Sequence, residues 1–404
     1  MVRFLHTADW QLGMKGGSLG KAGEIVRRAR IETMRAMISS ASEEKVDFVL
    51  IAGDLFESNA VHRDTVEQAL DVFDKASGIP IYILPGNHDP LEPDSIYLQR
   101  IWRSSPGNVR VLTERRPVEL DQFNTVLYPC PLRQKQSRAD PTAWISRQDT
   151  EQIRIGVAHG TLDIGLTKEP NFPINPRKAE ESGLDYLALG DWHSLFIHND
   201  SSGVPRTAYP GTPEGTGFDE KDPGHALVVE LEKGGEPQIK VKDCAQLRWM
   251  IWEEHIYSSQ DVQALVRKTR KLREPGNIIL RLRIEGNVDI ETYNMVDELT
   301  QLGRDLLYLD IDSGRLRLKP SVKDMVGVIP EGTWRKVAES LEALLSREPG
   351  FAQLAEVAPE GLEERLRQIQ EWKSQDKLKL RDVDPQIIER ALSLLYQLSK
   401  EVAE

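Results

Sequence analysis

Five short apolar segments in the first half of the chain each end in polar side chains, and this pattern constrains the fold more than any other feature. Periodicity predicts strands at residues 3–7, 48–52, 79–84, 154–158 and 184–189. Helical patterns separate the first three of them. Near-continuous apolar strands that alternate with helices predict an α/β sheet that is largely buried. Because the carboxyl ends of neighbouring strands form ligand sites in such sheets, we expect the polar side chains to meet there.

The polar residues that follow these strands are of the types that bind divalent metal ions. A single Asp after a strand is usually a helix cap or a turn former, but capping does not explain five consecutive strand ends of this kind. Two cations roughly 3.5–4 Å apart, with one carboxylate between them, need carboxylates, imidazoles and an amide at fixed places. The candidates are Asp9, Gln11, Asp54, Asn87, His88, His159, Asp191 and His193.

Composition narrows the class of protein. The 404 residues carry 52 Lys and Arg against 64 Asp and Glu, a net charge of −12, which argues against a protein that coats nucleic acid with its whole surface. The two cysteines, Cys130 and Cys244, form no metal-binding or disulfide pattern. The chain begins without the apolar core of a signal peptide, and no apolar run reaches the roughly 18 residues of a membrane span. We therefore expect a cytoplasmic protein that does not contact a membrane.

The strand-end motifs resemble, in order, those of calcineurin-like metallophosphoesterases. They are residues 9–13 (DWQLG), 53–56 (GDLF), 86–89 (GNHD), 159–160 (HG) and 190–193 (GDWH). HTADWQLG, GDLFES and YPGTPE further resemble the SbcD-type nucleases of DNA double-strand-break repair. The resemblance implies an α+β fold, a four-layer α/β/β/α sandwich, with a small α/β cap and a C-terminal helical region. The implied domains are 1–245 for the nuclease, 246–320 for the cap and 321–404 for the helices, although the last 80 or so residues match no motif of the family.

The resemblance also assigns a role to each motif residue. It implies one metal held by Asp9, Gln11, Asp54 and His193, and a second held by Asp54, Asn87, His159 and Asp191. It makes His88 the acid next to the phosphate, with Asp89 orienting it. Gln11 and Asp191 stand where the family usually has histidines, but both keep a donor atom. The resulting oxygen-rich set favours two hard cations, Mn²⁺ or else Mg²⁺.

The expected substrate is a phosphodiester, and DNA in particular. Motifs GDLFES and GNHD lack the arginines that grip phosphomonoesters in the protein-phosphatase branch. A basic cluster near the predicted cap offers contacts to DNA phosphates, although a solvated helix face explains it equally well. The cluster consists of Arg267, Lys268, Arg270, Lys271 and Arg273, and Arg281 and Arg283 alternate on the strand that follows.

The sequence leaves the binding partners and two alternative functions open. The resemblance implies a DNA exonuclease or endonuclease that works with an SMC-like coiled-coil ATPase of SbcC type and docks on it through C-terminal helices. An apolar stripe between Ile387 and Val402 is a candidate for that contact, or packs on its own domain. A homodimer is also open. The alternatives are a phosphodiesterase or phosphatase of small molecules, and a catalytically weak DNA-binding scaffold protein.

Overall fold

The computed structural model describes residues 1–76 and 78–319, together with 335–338, 341, 387–388, 390–392 and 394. The chain divides into two compact units. The first comprises Met1–Met250 and Asn277–Ile279, and the second comprises Ile251–Gly276 and Leu280–Glu404. The main segment of the first unit thus ends close to residue 245, the boundary predicted for the nuclease domain.

Residues 1–76 and 78–319 form fifteen strands and five α-helices. The strands are β1 (Val2–Thr7), β2 (Phe48–Ile51), β3 (Ile81–Ile83), β4 (Val109–Val111), β5 (Val118–Leu120), β6 (Thr125–Cys130), β7 (Ile153–His159), β8 (Tyr186–Gly190), β9 (Phe196–His198), β10 (Thr207–Tyr209), β11 (His225–Leu231), β12 (Gln238–Asp243), β13 (Arg248–His255), β14 (Ile278–Val288) and β15 (Tyr308–Leu318). The helices are α1 (Ala22–Glu43), α2 (Arg63–Lys75), α3 (Lys178–Ser182), α4 (Ser259–Arg270) and α5 (Ile290–Glu298). Short 3₁₀ turns occupy Gly17–Leu19, Ile96–Leu98, Arg100–Ser104, Asp121–Phe123, Pro275–Asn277 and Leu299–Arg304.

The first unit contains two mixed six-stranded sheets. Their strand orders are β12-β11-β1-β2-β3-β4 and β5-β6-β7-β8-β10-β9. Strands β1 to β4 are parallel, and so are β6, β7, β8 and β10, whereas the outer strands β11, β12, β5 and β9 run antiparallel to their neighbours. The parallel strands at the centre of each sheet therefore bring their carboxyl ends to one edge.

Three apolar clusters bind the sheets and helices of the first unit into layers. Phe4 and Phe48 of the first sheet lie in one cluster with Tyr186 of the second, and the Phe4 and Phe48 rings stack with centroids 5.0 Å apart. The opposite face of the first sheet packs on α1 and α2, and the outer face of the second packs on α3. Truncating a buried ring such as Phe48 to Ala would cost about 3–5 kcal/mol. The predicted four-layer α/β/β/α sandwich is confirmed.

The second unit is built around a three-stranded sheet with the strand order β13-β14-β15. Helices α4 and α5 pack on this sheet. Helix α4 begins with a capping box, in which Asp261 Oδ2 accepts the backbone N–H of Ser258 at 2.9 Å. The alternating sequence of β14 buries Leu280, Leu282 and Ile284 on one side. This small α/β arrangement is the one predicted for the cap.

The predicted C-terminal helices lie mostly outside the described residues. Of the apolar stripe, Ile388 and Leu392 are buried, and Ile387 and Leu394 are exposed. None of the helices in the described part of the chain combines the length and the apolar character that crossing a bilayer requires.

Candidate metal centre

Two carboxylates and an imidazole meet where the strands of the two sheets end. Asp9 follows β1 and Asp54 follows β2 in the first sheet, and His159 is the last residue of β7 in the second. One ligand atom from each lies within 4.8 Å of the others, and all three side chains are buried. Buried carboxylates cost free energy unless a cation or a proton compensates them. This cluster is therefore the centre of the candidate site.

The loops that carry the candidate ligands adopt a backbone conformation that is rare outside glycine. The φ angles are 54° at Asp9, 44° at Gln11, 53° at Asp54 and 102° at Asp191. Hydrogen bonds between neighbouring loops hold this conformation, among them Asp9 N to Gly53 O at 3.1 Å and Gln11 N to Asp54 O at 3.0 Å. Strained backbone of this kind clusters at functional sites, where the surrounding structure fixes it.

Two glycines allow the loops to approach one another closely. A Cβ on Gly53 would collide with the ring of His159, and a Cβ on Gly86 would collide with the carboxylate of Asp54. Gly53 also has a φ of 105°, which disfavours any other residue. These glycines of the GDLF and GNHD motifs therefore serve to bring ligands from the two sheets together.

His159 is held by both of its ring nitrogens. Nδ1 lies 2.9 Å from the carbonyl oxygen of Ala52, and Nε2 lies 2.7 Å from Oδ1 of Asn87 and 3.4 Å from Oδ2 of Asp54. Burial lowers the pKa of His159, but the charge of Asp54 outweighs it and raises that pKa well above its usual value. Both nitrogens then donate hydrogen bonds, and the Nε2 proton lies where a cation would replace it.

The two carboxylates respond differently to the same surroundings. Burial raises the pKa of Asp9 to about 7, and the negative charges of Asp54 and Asp191 add to that effect. Burial also acts to raise the pKa of Asp54, but the interactions with His159 and His88 outweigh it and leave that pKa below its usual value. The pKa of Asp54 is thus the lower of the two, and Asp54 favours its ionised form more than Asp9 does.

Gln11 and His193 contact each other. Gln11 Nε2 is 3.1 Å from His193 Nε2, and the opposite ring nitrogen, Nδ1, is 2.7 Å from Oε1 of Glu220. Burial lowers the pKa of His193, but the hydrogen bond to Glu220 and the charge of Asp9 raise it to about 9. Glu220 lies outside the strand-end motifs, and no local sequence pattern distinguishes it.

Asp191 approaches the centre through both its backbone and its side chain. Its N–H lies 3.1 Å from each carboxylate oxygen of Asp9, and its own Oδ2 accepts the hydroxyl of Thr161 at 2.7 Å. Burial raises the pKa of Asp191. Thr161 follows the HG motif directly, and sequence reasoning did not single it out. The structure thus places Asp191 beside Asp9 but outside the tight Asp9–Asp54–His159 cluster.

His88 and Asp89 do not share the relationship expected from the sequence. The ring of His88 contacts the carbonyl of Glu57 through Nδ1 at 3.1 Å, and its Nε2 is 3.9 Å from Asp54 Oδ2. Asp89 is fully buried and accepts hydrogen bonds from the Phe56 and Gly86 amides and from the Tyr97 hydroxyl. Asp89 therefore fastens the GNHD loop, and the carbonyl of Glu57 orients His88.

The donor set suits divalent cations. Carboxylate oxygens, imidazole nitrogens and the amide oxygens of Asn87 and Gln11 are ligands that Mn²⁺ and Mg²⁺ accept, and no thiol lies among them. In addition, Glu220 and the Ala52 carbonyl contact the far nitrogens of His193 and His159. Such outer contacts on metal-binding histidines fix the ring orientation. The residues present therefore fit a divalent metal site.

The basic cluster lies on and after α4, in the second unit. Lys268 is bound to Glu254 at 2.6 Å and lies over the Trp252 ring, 4.2 Å from its centroid. Arg267, Arg270 and Lys271 are exposed, and within the described part of the chain no ion pair involves them. On the neighbouring strand, Arg281 and Arg283 are paired with Asp310 and Glu253. Arg273, which lies beyond the end of α4, is exposed as well. On one face of α4 and its end, the cluster contributes three cations with i, i+3, i+4 spacing.

Comparisons with known proteins agree with this geometry. Residues 2–195 match the calcineurin-like phosphoesterase family. The metallophosphoesterase YhaO of Bacillus subtilis (strain 168) is 26% identical over 304 residues, which cover 70% of this chain and 72% of that protein. The SbcD chain of the nuclease SbcCD from Staphylococcus saprophyticus is 32% identical over 223 residues, 48% of this chain and 57% of that protein. These findings support phosphoester hydrolysis as the general activity and a divalent metal as its cofactor.

Proposed function

We propose that the protein is a two-metal, Mn²⁺-dependent DNA nuclease of SbcD type, since residues 2–195 match the calcineurin-like phosphoesterase family. The observation that carries the proposal is the buried Asp9–Asp54–His159 cluster, whose ligand atoms all lie within 4.8 Å of one another. The match to the SbcD chain of an SbcCD nuclease supports DNA as the substrate.

The ligand assignment is the one that the family resemblance implies. Asp9, Gln11 and His193 would hold one cation, Asn87, His159 and Asp191 the other, and Asp54 both. When bound, the cations neutralise the phosphoryl oxygens and activate a water for attack on phosphorus. The outer contacts of His159 and His193 keep the imidazoles aimed at the centre, so little reorganisation is needed when substrate arrives.

His88 is placed to assist departure of the leaving oxygen. Of the His88 side-chain surface 38% is accessible, against 27% for His193. With Nδ1 donating to the Glu57 carbonyl, a proton on Nε2 is the one that His88 can transfer to the leaving group. His88 would therefore act on the substrate rather than on the metals.

The charge around the site favours a diester over a monoester. Arg30 is buried, and its guanidinium donates hydrogen bonds to the backbone carbonyl oxygens of Trp10 and Gly215. The guanidinium is therefore not available to a phosphate. Glu57 adds a negative charge beside His88. A diester carries one negative charge and needs less cationic compensation than a monoester dianion.

The proposed partner is an SMC-like coiled-coil ATPase, bound through the C-terminal helices. Full-length protein should be retained by the immobilised ATPase, and a chain that ends at Asp384 should not. If the shortened chain instead loses thermal stability and still binds, the apolar stripe belongs to its own domain.

One experiment distinguishes the proposed activity from its rivals. Purified protein is incubated with end-labelled single- and double-stranded DNA, with Mn²⁺ or with EDTA, beside chromogenic phosphomonoester and phosphodiester substrates. The proposal expects DNA cleavage and diester hydrolysis that EDTA abolishes. Hydrolysis of the small esters without DNA cleavage would favour a small-molecule phosphodiesterase or phosphatase. DNA binding without hydrolysis of any substrate would favour a scaffold protein.

A further inference from the structure

We infer that Glu220 is a positioning residue for His193: it fixes which ring nitrogen faces the metal centre and holds the ring there. The inference rests on the proposed function in so far as His193 is taken to be a metal ligand. It concerns a residue that lies 27 positions away from its partner and outside the strand-end motifs.

The contact between the two side chains is short and largely withdrawn from water. Glu220 Oε1 lies 2.7 Å from His193 Nδ1, and only 5% of the Glu220 side chain is exposed, against 27% for His193. The carboxylate accepts the Nδ1 proton, so Nδ1 is occupied and the ring presents Nε2 to Gln11, whose Nε2 lies 3.1 Å away. A hydrogen bond between an imidazole and a carboxylate is the usual device that fixes the tautomer and orientation of a metal-binding histidine.

The second oxygen of Glu220 anchors the carboxylate itself. Oε2 accepts the backbone N–H of Thr216 at 2.8 Å, and the Thr216 hydroxyl contacts Oε1. The same loop reaches the centre again through Thr212, whose hydroxyl donates to the carbonyl oxygen of Asp9 at 2.8 Å. Glu220 is therefore fixed by its own loop before it contacts His193.

A purely structural role does not account for the contact with His193. Thr216 already closes the turn, through its N–H to Oε2 and its hydroxyl to Oε1. Oε1 also lies 2.7 Å from Nδ1 of His193, whose other ring nitrogen lies 3.1 Å from Nε2 of Gln11. Because removing one such outer partner typically lowers metal affinity 10- to 100-fold, the two roles are separable by measurement.

The test measures Mn²⁺ binding by the 404-residue chain with calorimetry. Glu220→Gln keeps the shape of the side chain and removes its charge, and Glu236→Gln, on an exposed carboxylate of the same unit, is the matched control. We expect Glu220→Gln to weaken one of two Mn²⁺ sites by about 10- to 100-fold and to leave the other unchanged. The control should bind as wild type does. In a His193→Ala background, Glu220→Gln should cause no further loss.

Several outcomes would overturn the inference. They are wild-type Mn²⁺ affinity in folded Glu220→Gln, equal weakening of both sites, or a further loss in the His193→Ala background. If Glu220→Gln does not fold, Glu220→Asp serves instead, and wild-type affinity at both sites in that variant overturns the inference equally. The proposed function fails separately: a wild-type protein that hydrolyses no diester would refute it, while selective loss of one Mn²⁺ site in Glu220→Gln would leave the positioning role standing.

Discussion

Replacing Arg267, Arg270 and Lys271 together by Gln should flatten the salt dependence of DNA binding. The three cations share one exposed face of α4 and its end. Lys268 is excluded from the variant because Glu254 and Trp252 already engage its ammonium group.

The expected magnitude follows from the number of cations. Each phosphate contact on duplex DNA contributes about 0.9 to the slope of log K against log salt concentration. Three contacts therefore predict a slope that is less steep by about 2.7. Between roughly 50 and 200 mM salt, the wild-type protein should lose about 40-fold more affinity than the variant.

The assay is a fluorescence-anisotropy titration of labelled duplex DNA over a series of salt concentrations, with hydrolysis prevented by omission of divalent metal. Lys268→Gln is the matched control on the same helix, and it should change the slope by much less than the roughly 0.9 of a full phosphate contact. Hydrolysis of a small chromogenic diester should be the same in all proteins. Equal slopes for the wild type and the triple variant would refute the reasoning and identify the cluster as a solvated helix face.

Three further predictions concern the metal centre. Asp54→Ala should lose at least one of two bound metals by calorimetry, whereas His88→Ala should keep both and lose turnover; two metals in Asp54→Ala would contradict the bridging role. Asp191→Asn should lower metal affinity more than Gln11→Ala, since only the first removes a charge, and wild-type activity of Asp191→Asn at every metal concentration would exclude it as a ligand. Mn²⁺ binding at pH 7 should release protons and weaken as the pH falls. The reason is that the pKa of His193 is raised to about 9, so its ring is mostly protonated below that value. Calorimetry in buffers of different ionisation enthalpy measures the proton release.

The strands that position the site were predictable because they are buried on both faces. Strand β2 reads as a continuous apolar run in the sequence and β1 and β7 as largely apolar ones, and each is followed by a candidate ligand or ends in one. Strand β6 was not among the predicted strands, and it contains Pro129, a residue that is disfavoured inside a sheet. Pro129 is aligned with Val157 of β7, whereas the pairing of β6 with β5 extends only as far as Leu127.

The contacts around the ligands could not be predicted from the sequence in the same way. Glu220 and Thr161 reach His193 and Asp191 across 27 and 30 residues, and nothing in their local pattern signals the contact. The expected pairing of Asp89 with His88 came from the family resemblance. Neighbouring residues in a tight loop point in different directions, and Asp89 is directed into the protein core.

The left-handed backbone of the ligand loops bears on how such a site changes under mutational drift. Glycine adopts positive φ without the steric cost of a Cβ, which is on the order of 1 kcal/mol for other residues. At Gln11 and Asp191, the two positions that depart from the family pattern, backbone strain alone would thus favour replacement by glycine. A lineage released from selection on metal binding would be expected to drift toward glycine there. Keeping an amide and a carboxylate at these turns lowers the folding stability. Binding of a ligand by those side chains would offset that cost.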